Sequence, residues 1–126
     1  MPNYKGVMKD DERFAMIRMD GFIYRSVTNN ITALSGGGQS SATPVSTNIV
    51  RVTTVAVAND SITLPPAKAG LELWVKNAGA NSLNVFPNTG DAINALAANA
   101  AYALATVKSA MFFCAVDGTW DTSLSA

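Results

Sequence analysis

Clusters of glycine, proline, asparagine and aspartate interrupt this chain roughly every 8–12 residues from residue 48 onward, which leaves room for short strands and little else. Ile49, Val50, Val52, Val55 and Val57 mark a β-branched strand over 48–57. Asn59-Asp60 turns the chain, and a short strand over 62–64 ends at Pro65-Pro66, which cannot extend a ladder. Over 71–77 the alternation puts Leu71, Leu73 and Val75 on one face and Glu72, Trp74 and Lys76 on the other. Ala78-Gly79-Ala80-Asn81 reads as a hairpin turn into a strand over 82–86, and Pro87 to Asp91 as another turn. The alanine-rich stretch 92–107 is read as two short strands, against the helical preference of alanine, because Tyr102 and Leu104 alternate. Strands over 109–116 and 119–122 follow, joined by Asp117-Gly118, a strong hairpin signal.

The charges divide the chain. Residues 1–25 carry nine of the eighteen charged side chains. We therefore expect three parts: an N-terminal arm over 1–34, a Gly/Ser/Thr linker over 35–47, and a β domain over 48–126. In the arm, Asp10 or Asp11 can cap a short helix ending near Arg18, with Gly21 stopping it. A helix this short is ordered only when docked. Phe22 to Val27 suits a strand. The expected fold is all-β: a small antiparallel β-sandwich or barrel of about eight short strands, preceded by the arm with its short helix. A domain of this size gains from oligomerisation, which adds buried area.

Composition narrows function by exclusion. Histidine is absent, which removes Ser-His-Asp and Cys-His catalysis and the usual zinc sites. The single cysteine, Cys114, lies in an apolar run and is read as core. With no disulfide partner and no apolar leader after Met1, the chain is expected to be made in a reducing cytoplasm. Nine basic against nine acidic residues argue against a nucleic-acid partner, and no apolar run is long enough for a membrane helix. Gly36-Gly37-Gly38 lacks the lysine-serine or lysine-threonine ending of a phosphate loop. Glu72, Asp91 and Asp121 are the only loose candidates for a carboxylate pair, so no catalytic residue, cofactor or metal is expected.

An ordered set of motifs carries a resemblance. Leu64-Pro65-Pro66-Ala67-Lys68-Ala69-Gly70-Leu71-Glu72-Leu73 is followed by Lys76-Asn77-Ala78-Gly79-Ala80-Asn81-Ser82-Leu83-Asn84-Val85-Phe86-Pro87. Gly90-Asp91-Ala92-Ile93-Asn94-Ala95-Leu96-Ala97 comes next, and Phe112-Phe113-Cys114-Ala115-Val116-Asp117-Gly118-Thr119-Trp120 closes the set. Ile31 to Gln39 and Arg51 to Val55 belong with it. Over 31–122 the chain resembles a β module of bacteriophage virion proteins, similar to head decoration (cement) proteins, head fibres and other small virion components. The resemblance implies a structural role, often as a homotrimer, and carries over no catalytic or ligand-binding residue.

The expected function is therefore a non-enzymatic capsid decoration protein that binds the major capsid protein on the virion exterior and stabilises the head. Phe14, Ile17, Arg18, Phe22 and Tyr24 of the arm and the outward Trp74 are the candidate interface residues. For Phe14, Ile17, Phe22 and Tyr24, docking on a partner and packing under the β domain both stay open, and Trp74 could instead be core in a two-sided sandwich. The alternative is a tail- or fibre-associated module binding a host surface polymer through Trp74, Trp120, Asp121 and Asn88.

Overall fold

The computed structural model describes residues 21–34 and 38–126. Among these residues ten strands run in chain order: β1 (Val27–Thr32), β2 (Thr43–Pro44), β3 (Ile49–Thr54), β4 (Ser61–Thr63), β5 (Glu72–Asn77), β6 (Leu83–Phe86), β7 (Ala92–Ile93), β8 (Tyr102–Leu104), β9 (Ser109–Val116) and β10 (Thr119–Leu124). The only helical element among the described residues is a 3-10 turn at Gly38–Ser41.

The strands form two mixed sheets, one in the order β1-β3-β5-β9-β10-β7 and one in the order β2-β4-β6-β8. Up to β6 the chain alternates between them. β1, β3 and β5 stack in parallel in the larger sheet, and β2, β4 and β6 stack in parallel in the smaller. The result is solenoid-like: three successive coils, each contributing one strand to each sheet. β8 and β9 then run antiparallel to β6 and β5, and β9 and β10 form a hairpin across Asp117-Gly118 with Gly118 at positive φ. β7 pairs in parallel with β10 at the far edge.

The antiparallel sandwich or barrel expected from the sequence is thus not the fold. The cause lies in the corners. Ala78 to Asn81 looks like a hairpin turn, yet β5 and β6 belong to different sheets, so this segment carries the chain across the core. The corner rests on the one before it. Ala78 N donates to Val52 O (2.8 Å), and Asn81 Nδ2 donates to the carbonyls of Val55 (2.9 Å) and Ala56 (3.0 Å). Gly79 lies so close to Val55 that a Cβ there would sit 2.6 Å from Val55 Cγ2. A side chain would push the two coils apart.

The arm helix expected around residues 10–19 lies outside the described residues, as do Phe14, Ile17 and Arg18. The strand expected over 22–27 begins at Val27 instead. β1 is an edge of the larger sheet, with Ile31 and Ala33 buried. Within the stretch read as a linker, residues 38–47 hold the 3-10 turn and β2, with Ala42 and Val45 buried. Among the described residues no helix is long and apolar enough to cross a membrane.

Alternation then decides what each sheet buries. Val50, Val52, Leu73, Val75, Phe112 and Trp120 of the larger sheet are buried together with Ile62, Leu83, Val85 and Leu104 of the smaller. Tyr102 and Phe112 meet edge to face at 5.5 Å between ring centroids. Cys114 is buried, as expected of a core thiol. One buried amide works among these apolar groups. Asn77 Nδ2 donates to Asn81 O and Leu104 O (both 2.9 Å), while its Oδ1 accepts from Gly79 N (3.0 Å). This residue ties the end of β5 to its own corner and to β8.

Candidate interaction face

The same alternation that buries one side of the larger sheet sets its other side in rows. Strand pairing aligns Val27 with Ile49, Ile49 with Trp74, Trp74 with Met111, and Met111 with Ser123. Four of these five are apolar, and three stand well into solvent: Val27 at 60%, Trp74 at 47% and Ile49 at 38%. An apolar row therefore crosses four adjacent strands near the middle of the face. A single exposed apolar residue is ordinary, whereas a contiguous row rimmed by charge is a candidate contact surface.

The rows on either side differ in sign. Two residues further along the parallel strands lie Asn29, Arg51 and Lys76. Arg51 pairs in register with Lys76, and its guanidinium donates to Asn29 Oδ1 at 3.1 Å. Two residues back lie Glu72, Phe113 and Asp121, aligned through β9. Glu72 also meets Arg25 at 3.3 Å, with both side chains well exposed. An ion pair this wet adds little stability. Its effect is to orient the Glu72 carboxylate on the surface. The Lys76 ammonium donates to Val107 O, which steadies it at the opposite rim.

Hydrogen bonds from backbone and side chains fasten the sheet where Trp74 emerges. Trp74 N donates to Asn48 O (2.7 Å), and Asn48 Nδ2 donates to Glu72 O (2.7 Å). Ser26 Oγ accepts from Asn48 N (3.1 Å), fastening the entry to β1 at the same point. Phe22 at 67% exposure and Tyr24 lead into this edge and are also exposed.

The sequence-derived candidates thus separate. Trp74 sits at the centre of the face, while Phe22 and Tyr24 stand exposed beside its first strand. Trp120, named for sugar binding, is fully buried in the core. Asp91 is engaged locally, accepting from Ala67 N at 2.9 Å. Glu72 and Asp121 share a row but flank β9, which sets their strands about 10 Å apart. Val27, Ile49 and Met111 were not singled out from sequence. Only the cross-strand register aligns them with Trp74.

A separate open cleft of about 370 Å³ lies by the smaller sheet, lined by Val57, Asn59, Asp60, Asn84 and Phe86 among others. Its Asp60 carboxylate is occupied by Val57 N at 3.1 Å, in a turn where Asn59 adopts positive φ. Among the described residues no cluster of three or more histidine, cysteine or acidic side chains is placed to hold a metal ion. Compared with family models, with curated proteins and with solved structures, the chain finds no match.

Proposed function

We propose that the chain is a non-enzymatic structural protein that decorates the exterior of a bacteriophage capsid, holding to the major capsid protein through its N-terminal arm and presenting its β domain for lateral association. The observation that carries this reading is the apolar row Val27–Ile49–Trp74–Met111, rimmed by charge across four hydrogen-bonded strands. A central aromatic among apolar neighbours is the usual composition of a protein contact. The exposed Phe22, Ile23 and Tyr24 add apolar surface where the arm enters the domain. The ordered motif resemblance over 31–122 supplies the virion context. In this reading the protein acts by adding buried area across joints in the shell, without chemistry.

The test is cosedimentation of the purified full chain with capsid shells lacking it. Saturable binding is expected, with loss of binding when residues 1–20 are deleted. Failure of the full chain to bind shells overturns the reading. Normal attachment of the truncated chain moves the anchor from the arm to the β domain. Binding to host surface polysaccharide in place of shells would move the protein to a tail or fibre, with Trp74 as the aromatic contact.

A further inference from the structure

From the pattern of rows we infer that the outward face of the larger sheet pairs with the same face of a second copy, about a two-fold axis lying along the apolar row. The observation is a charge asymmetry centred on one residue. Glu72 and Lys76 lie on β5, two positions to either side of the exposed Trp74. All three project from the same side of the sheet.

A surface that meets its own copy must be self-complementary under the rotation that relates the two. Two in-plane axes can be compared. An axis running along the strands sets Lys76 over Lys76, which like charges oppose. An axis running along the row exchanges the two rims. Trp74 then lies over Trp74, Ile49 and Met111 pack beside it, and Lys76 of each copy faces Glu72 of the other, twice. Strands on the two sides run antiparallel, within the aligned range in which sheets stack about 10 Å apart. Arg25 meets Glu72 at 3.3 Å and orients its carboxylate at the rim, where Lys76 of the second copy would share it. The charge pairs fix which axis is used and the apolar row supplies the attraction.

This pairing needs no shell. A chain that stays monomeric yet binds shells overturns it and leaves the decoration reading standing.

The experiment is sedimentation velocity on the purified full chain over a wide concentration range, with Glu72→Lys, Lys76→Glu, the double exchange Glu72→Lys/Lys76→Glu, and Trp74→Ser. The wild type is expected to show a monomer–dimer equilibrium. Each single reversal is expected to weaken it on the order of tenfold or more, because it places two like-charge pairs across the axis. The double exchange is expected to return most of that loss, a rescue that general destabilisation cannot produce. Trp74→Ser, at an exposed position outside the core, is expected to be monomeric while unfolding normally. A monomer at every concentration, a trimer, or a double variant no tighter than the singles overturns the pairing.

Discussion

Replacing Asn77 by leucine perturbs the point where the coils are tied together. The side chain is fully buried and makes three hydrogen bonds, to Asn81 O, Leu104 O and Gly79 N. Leucine has similar volume but returns none of them. Each bond contributes about 1 kcal/mol net, and a buried backbone group left without this partner costs about 1–3 kcal/mol. The added apolar burial offsets part of that, by about 1–2 kcal/mol. With three groups left unpaired, the expected loss is at least about 1–2 kcal/mol, lowering the thermal midpoint by at least about 5 °C. Urea unfolding followed by tryptophan fluorescence measures it, since Trp120 is fully buried. The aspartate variant sharpens the test. Its carboxyl would face two carbonyl oxygens, so ionisation is disfavoured and its folded pKa rises above the unfolded value of about 3.9. Folded molecules then bind more protons than unfolded ones. Relative to wild type, the variant is therefore least destabilised below about pH 4 and loses stability as pH rises through the raised pKa. A leucine variant within about 0.5 kcal/mol of wild type, or an aspartate variant with the pH dependence of wild type, would refute the assignment of Asn77 as the tie.

Three further outcomes follow from local geometry. Val107 is a β-branched residue at φ 63, so Val107→Asn is expected to stabilise the fold by about 1 kcal/mol, read from the urea midpoint. Gly79→Ala places a Cβ 2.8 Å from Val55 N, a backbone atom that cannot swing aside, and is expected to cost about 2 kcal/mol or more in the same assay. Cys114 is buried, so a thiol reagent should label it in the unfolded protein and leave the native protein unmodified; rapid native labelling would contradict its place in the core.

From residue 48 onward the strands were largely legible in the sequence because alternation is a local property, whereas β1 and β2 fell in stretches read as arm and linker. The inward Leu73 and Val75 and the outward Trp74 follow from the period of two alone, and the strand read over 109–116 coincides with β9. Sheet order was not legible. A glycine and asparagine cluster such as Ala78 to Asn81 bends the chain without saying whether the next strand returns beside the last or crosses to another sheet. The contacts that decide, Gly79 on Val55 and Asn81 on the Val55 and Ala56 carbonyls, join residues more than twenty positions apart. One signal did mark the coils. Pro44, Pro65 and Pro87 recur at intervals of 21 and 22 residues, each at or just past the end of a strand in the smaller sheet.

The face was legible in part for the same reason. Trp74 is outward by alternation, but Val27, Ile49 and Met111 join it only through the pairing of β1, β3, β5 and β9. Trp120 misleads at sequence level. It follows the Asp117-Gly118 turn, a surface position, yet its parity on β10 turns it into the core.

The proposed role requires the protein to be a stoichiometric part of a phage shell, and its copy number per particle measures that directly. Quantitative mass spectrometry of purified virions, against the major capsid protein, is predicted to give a ratio of the same order as the capsid protein. A ratio lower by an order of magnitude or more would contradict head decoration and place the chain at a tail, collar or fibre.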